Sequence, residues 1–238
     1  MINVSILGAS GRMGSLTRDL VDADANLKLH SALGSKSALD QMLGADVVVD
    51  FTLPDVSPEM VKYAIANGLK IVVGTSGWTD LKLAEVEKLI GDSPNACVVV
   101  IPNFSVGSML LQRFSEQAAK LFESAEIIEA HHAGKVDSPS GTAIATAERI
   151  AAARPETHLV PGAGQQARGE IHNGVPIHSL RQPGVSARQD VIFAADSEQL
   201  TISHDVSNHR AYALGILRSI EFASANTGLH VGLDSVLD

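Results

Sequence analysis

At 238 residues, 45% of them apolar and 4% aromatic, the chain can bury a sizeable core without disulfides or metals as staples. A formal net charge of −9 argues against a nucleic acid or an anionic membrane as partner, because a polyanion gains nothing from an acidic surface. The single cysteine, Cys97, excludes an intrachain disulfide, the amino-terminal residues lack the pattern of a secretion signal, and no apolar run approaches the ~20 residues that span a bilayer, so a cytoplasmic address is expected.

Residues 2–7 form a short apolar run ending at Gly8, and a helical pattern starts near Arg12 and passes through Leu16, Leu20 and Val21. The spacing then predicts a strand over Leu27–Leu33, a buried strand over Asp46–Phe51, a helix over Ser57–Asn67 closed by Gly68, a strand over Leu69–Val73, a helix near Asp80–Ile90 and a strand over Ala96–Ile101. Strands alternating with helices at this spacing give an α/β, Rossmann-type, doubly wound parallel sheet, since parallel neighbours need crossover connections.

After Pro102-Asn103-Phe104 the rhythm changes to a helix (Val106–Leu121), a strand (Glu126–His132), a Gly/Ser/Pro loop, a helix (Thr142–Ala153) and several strand-like segments, some of them within Ala187–Val206. The expected organisation is a dinucleotide-binding domain over 1–104, an α+β substrate-binding and oligomerisation domain over 105–208, and a return of 209–238 to the first domain through a helix over Tyr212–Ala225.

Gly8-Ala9-Ser10-Gly11-Arg12-Met13-Gly14 lies between the first strand and the first helix. Glycines three apart allow a tight turn and a close backbone approach to a pyrophosphate, and the helix amino terminus supplies amide donors. An acidic residue usually ends the second strand to hold the ribose hydroxyls of NAD, but here the chain reads Leu33-Gly34-Ser35-Lys36-Ser37, with no carboxylate before Asp40. Lys36 between two hydroxyls, with Arg12 as a second cation, suits a 2′-phosphate; the cofactor expected is NADPH or NADH, with NADPH favoured. Gly74-Thr75-Ser76 and Ile101-Pro102-Asn103-Phe104 follow two later strands at their carboxyl ends, where ligands of open α/β sheets bind, and are further cofactor candidates.

The densest chemistry lies in Glu129-Ala130-His131-His132-Ala133-Gly134-Lys135-Val136-Asp137-Ser138-Pro139-Ser140-Gly141-Thr142-Ala143. Adjacent histidines on a strand face opposite sides and so take different roles. Ser140-Gly141-Thr142 before an alanine-rich helix offers amides to a carboxylate. A metal site built from His131, His132 and His158 is disfavoured by the adjacent spacing and by the lone cysteine. A short-chain dehydrogenase pattern fails, because Asn67 and Ile216 stand where lysine would have to follow Tyr63 and Tyr212. Cys97 lies in an apolar run that suits an inert thiol rather than a nucleophile. A non-catalytic nucleotide-binding sensor is the rival from another class, with no need to keep His131, His132, Lys135 and the Ser-Gly-Thr turn together.

This segment resembles the signature of the dihydrodipicolinate reductases, E-x-H-H-x-x-K-x-D-A-P-S-G-T-A, departing from it only at Ser138, where alanine is usual. The glycine loop, the Gly74 turn and Pro102-Asn103-Phe104 are similar to family motifs as well. A second departure is Ala187-Arg188-Gln189 in place of a histidine-containing stretch. The resemblance implies reduction of a cyclic dicarboxylate, dihydrodipicolinate or its hydroxylated precursor, to tetrahydrodipicolinate in lysine and diaminopimelate synthesis. It implies proton transfer by His131 and Lys135, and substrate contacts by His132, Gly141 and Thr142. It further implies closure about hinges near Phe104–Ser105 and 208–210, and a homotetramer joined through the second domain.

Overall fold

Valine and isoleucine dominate the strands Val47–Asp50 (β3), Lys70–Val73 (β4) and Cys97–Val100 (β5), which are buried along nearly their whole length, as expected of a parallel sheet covered on both faces. The computed structural model describes residues 1–154 and 160–237; the chain divides into two units, 1–106 with 209–238, and 107–208.

In the first unit, Ile2–Leu7 (β1) and Leu27–Leu33 (β2) join β3, β4, β5 and a short strand, Gly228–Val231 (β11), in an all-parallel sheet ordered β11-β5-β4-β3-β1-β2. The helices Ser57–Ala66 (α2) and Asp80–Gly91 (α3) bury Val61, Ala64, Ile65 and Val86 against one face of this sheet. Arg12–Ala23 (α1) and Ala213–Ala225 (α6) pack together as a second helical pair. Between β2 and β3 the connection holds only a 3-10 turn at Leu39–Met42, too short a segment for a crossover helix. Strand and helix ends fall within about two residues of the sequence expectations, the usual uncertainty of a boundary. β11 and the short helix Asp234–Leu237 (α7) were not foreseen.

The order of the strands positions the first candidate site. From β1 the chain moves outward to β2, then returns to β3 on the other side of β1, so a crevice opens at the carboxyl ends of these strands. Gly8, Phe51, Gly74 and Ile101 each follow directly after one of the four strands that flank it.

The second unit is a five-stranded mixed sheet ordered β10-β9-β6-β8-β7, with Ser124–His131 (β6) at its centre. β6 runs parallel to Val175–Arg181 (β8) and antiparallel to Ala187–Ala194 (β9); Glu170–His172 (β7) and Gln199–Val206 (β10) are the edges. Val106–Ala119 (α4) and Gly141–Ala153 (α5) cover one face, where Leu111, Ala147 and Ile150 meet Ile127, Ile177, Val191 and Phe193. Strand alternation therefore puts Ala125, Ile127, Glu129 and His131 on the helix-covered side. β6 ends at His131 rather than at His132, so the second histidine of the pair belongs to the loop.

Candidate functional site

In the first unit the glycine loop is shaped by close approach. Gly8 has φ +71, and a Cβ built there would lie 2.5 Å from the Phe51 carbonyl oxygen; a Cβ on Gly14 would lie 2.3 Å from the Gly8 oxygen. Gly8 O accepts from Gly11 N at 3.0 Å, while Ala9 N donates to Leu33 O at 3.1 Å, fixing the loop to β2. Gly11 caps α1 with no side-chain hydrogen bond, so the first-turn amides face outward at the positive end of the helix. Ser10 and Arg12 are exposed there, and Met13 is half-buried.

Two adjoining cavities flank this loop. One, of about 400 Å³, is walled by Gly11–Gly14 and by Gly74, Thr75 and Ser76. The other, of about 380 Å³, has Gly8, Ser10, Gly34, Ser35 and Ser37 on one side and Leu39, Val56 and Met60 on another. Gly11, Phe51 and Thr52 line both. Asp50, fully buried, holds this shared wall by accepting from Thr52 N at 2.8 Å and from the Ser57 hydroxyl. The Thr52 hydroxyl is buried without a hydrogen-bond partner, a polar atom left for a ligand. The glycine cradle, outward amides and divided cavity fit an extended dinucleotide.

Gly74 is where aromatic packing demands glycine: its Cβ would lie 2.3 Å from the Phe51 ring and 2.7 Å from the Phe104 ring, which meet edge to face with centroids 5.8 Å apart. Phe104 thus backs the shared wall. Ile101 is fully buried, its amide donating to Val73 O at 2.8 Å, while Pro102 is exposed and Asn103 half-exposed. Lys36 is exposed in the turn whose neighbours Ser35 and Ser37 line the second cavity.

In the second unit the predicted proton-transfer segment gathers around Glu129, whose side chain is wholly buried. Arg181 Nη1 and Nη2 donate to its two oxygens at 2.9 and 2.8 Å, His131 Nδ1 donates to Oε2 at 2.6 Å, and Ser140 N donates to Oε1 at 3.2 Å. Arg181 Nη2 also donates to the Asp137 carbonyl at 2.7 Å, and Lys135 reaches the Asp137 carboxylate at 2.8 Å. Ser140 caps α5 through its hydroxyl, which accepts from Ala143 N at 3.3 Å, so Gly141, exposed, and Thr142, half-buried, open the first turn of that helix. His132 is exposed, and its carbonyl accepts from Lys135 N at 3.1 Å. One buried carboxylate therefore ties together His131, the Lys135 loop and the α5 amino terminus. His158 lies outside the described residues.

Burial penalises the Glu129 carboxylate, but hydrogen bonds from Arg181, Ser179 and His131 outweigh it and hold the group below the ordinary glutamate value. Burial pushes His131 below its ordinary value; the contact with Glu129 opposes this, and the charges of Lys135 and Arg181 add to it. An imidazole with Nδ1 bonded to a carboxylate has Nε2 left for proton exchange.

Glu129, Arg181, Phe51 and Thr52 were not assigned roles from the sequence. Glu129 could have been found, since a residue two before His131 on a strand shares its face. Arg181 lies 52 residues from Glu129 and becomes a neighbour only through the β6–β8 register. Phe51 and Thr52 carried only their place at the end of a predicted strand.

A parallel α/β unit with a glycine cradle at its switch point, joined to a mixed-sheet unit carrying a buried-carboxylate–histidine–lysine cluster, defines a two-unit nucleotide-dependent reductase. Models for the amino- and carboxyl-terminal parts of dihydrodipicolinate reductase match residues 2–104 and 107–237. The chain is 47% identical over 237 residues to the 4-hydroxy-tetrahydrodipicolinate reductase of Clavibacter michiganensis, covering 99% of this chain and 86% of that protein. It is 42% identical to the enzyme of that name from Corynebacterium urealyticum, covering 100% of this chain and 99% of the relative. A dipicolinate-bound dihydrodipicolinate reductase from Paenisporosarcina sp. TG-14 superposes over the whole of both chains with a TM-score of 0.89 at 32% identity. The chain belongs to the dihydrodipicolinate reductase family.

Proposed function

We propose that the chain reduces 4-hydroxy-tetrahydrodipicolinate to tetrahydrodipicolinate with NAD(P)H, on the path to diaminopimelate and lysine. One proton is consumed and one water released with each hydride transferred. The observation that carries this reading is the convergence on Glu129 of His131, the Lys135 loop and the α5 amino terminus: a proton carrier, a cation and a helix terminus, which together suit a ring with two carboxylates.

In this reading, Gly8, Ala9, Ser10, Gly11, Arg12 and Met13 hold the pyrophosphate. Gly74, Thr75, Ser76, Ile101, Pro102, Asn103 and Phe104 bound the nicotinamide end, and the turn at Lys36 holds the adenosine ribose. Lys36 between Ser35 and Ser37, without a carboxylate nearby in sequence, supports NADPH over NADH. The bound cofactor supplies the hydride. Gly141 and Thr142 direct the α5 terminus at one substrate carboxylate, and His132 and Lys135 bind the acid from the loop. His131 and Lys135 deliver the proton that the ring needs once hydride has been added. An imidazole near neutrality exchanges protons readily, whereas an ammonium acts mainly as donor.

The expected assembly is a cytoplasmic homotetramer joined through the second unit. Its support is β10, an edge strand of the mixed sheet with Leu200 exposed, which leaves backbone groups open to pairing. Oxidation of reduced cofactor, followed by its absorbance with freshly generated substrate, tests the activity. A higher kcat/KM with NADPH than with NADH tests the preference, and light scattering on a sizing column tests the tetramer. Cofactor binding without substrate-dependent oxidation would leave the non-catalytic sensor instead.

A further inference from the structure

The geometry points to the Glu129–Arg181 ion pair as the positioning device of the site, which fixes His131 with its proton on Nδ1 and sets, through two opposed charges, how readily Nε2 takes up a proton. The inference rests on the reading of His131 as a proton carrier. Glu129 and Arg181 touch neither reacting atom in this account; both act through the imidazole and are positioning residues.

Three features of the fold carry it. The two-residue strand period puts Glu129 and His131 side by side on β6, and the parallel register sets Arg181 directly beside His131 on β8. The carboxylate is completely enclosed and clasped by both terminal nitrogens of Arg181, so it has one orientation open to it. The same pair reaches the rest of the segment: Ser140 N donates to Glu129, Arg181 donates to Asp137 O, and Gln182 N donates to His131 O at 3.0 Å. Loosening it would disturb His131, the Lys135 loop and the α5 terminus at once.

Among the described residues, the charges facing His131 are few. β6 contributes Glu129, β8 contributes Arg181, and the loop contributes Lys135, itself paired with Asp137. His132 follows in the chain and is exposed. β9 brings neutral Ala187 opposite His131 and Gln189 opposite Glu129, Gln189 being tied to Thr146 of α5 at 2.8 Å. Beyond it β10 carries His204 opposite Gln189. Glu129 favours the imidazolium, while Arg181 and Lys135 oppose it.

The test is a titration of the His131 ring by NMR in the full chain without ligands, with His131→Asn to assign the signal. Glu129→Gln keeps an oxygen to accept from Nδ1 but removes the charge, so the His131 pKa should fall further, by about one unit. Arg181→Met removes one of the two charges that oppose the imidazolium, so the His131 pKa should rise, opposite in sign to the Glu129→Gln shift. Mere loosening of the site would instead carry both variants upward to the ordinary histidine value. If Arg181→Met does not fold, Glu129→Gln alone decides: a fall supports the inference and a rise, or no change, overturns it. The alkaline limb of the kcat–pH profile, where a general acid loses its proton, should follow the NMR values. Opposed NMR shifts with a stationary limb would leave the positioning role standing and refute the proton role of His131. Loss of turnover in His131→Asn with unshifted titrations would do the reverse.

Discussion

Replacing Gly14 by alanine tests the glycine cradle most directly. The added Cβ would lie 2.3 Å from Gly8 O and 2.7 Å from Ala9 Cα, both backbone atoms, so ordinary contact requires the loop to retreat by about 1 Å. That retreat works against the Gly11 N to Gly8 O bond of 3.0 Å and the Ala9 N to Leu33 O bond of 3.1 Å. Forcing one methyl into such a contact costs ~1–3 kcal/mol, and alanine within α1 recovers up to ~1 kcal/mol of helix propensity, so the net loss of stability is ~0–2 kcal/mol. At ~2–4 °C per kcal/mol, Tm should fall by no more than about 8 °C. Cofactor binding should suffer more. Two loop amides drawn away from a phosphate, at ~1.5 kcal/mol each for bonds to a charged group, amount to ~3 kcal/mol, or roughly a hundredfold in Kd. Gly91→Ala is the control, because nothing lies within 4 Å of a Cβ at that helical position and neither Tm nor Kd should worsen. The assay is titration of the reduced cofactor by fluorescence alongside thermal unfolding. A Gly14→Ala protein that binds NADPH within twofold of the parent would refute the placement of the pyrophosphate.

His131→Ala and Lys135→Ala should each lose ~10²–10⁴-fold in kcat with cofactor Kd nearly unchanged; normal turnover in either would remove that residue from the proton path. Stability should fall in two stages on acidification, read as Tm against pH. Burial depresses the His131 and His204 pKa values from 6.5, so below that pH the unfolded chain gains protons that the folded chain resists, and stability declines. The Glu129 carboxylate, held below 4.5, contributes in full above that pH, and its contribution is lost as pH falls through the folded value. A flat Tm between pH 6.5 and 4.5 would contradict the first stage. Burial pushes the Cys97 thiol up to about 11, so a thiol reagent at neutral pH should label it only on unfolding; rapid labelling of the native protein would contradict its place in β5.

The parallel sheet could be read from the chain because its central strands are apolar runs with no other use, and glycine marks where β1, β2 and β4 give way to the loops that line the two cavities. β11 could not, since Gly228-Leu229-His230-Val231 alternates weakly and becomes a strand only by pairing with β5. The second site shows the same division more sharply. Its residue types stand together between Glu129 and Thr142, so the sequence exposes the chemistry, although the end of β6, rather than strand alternation, is what separates His131 from His132. What orders that chemistry is an arginine brought in by a register that no local pattern specifies. An unpaired buried carboxylate costs several kcal/mol, so the enclosure of Glu129 on β6 demands a cation beside it. That enclosure comes from the α5 and β8 packing around β6, and the residue that answers it can be named only once β8 lies beside β6.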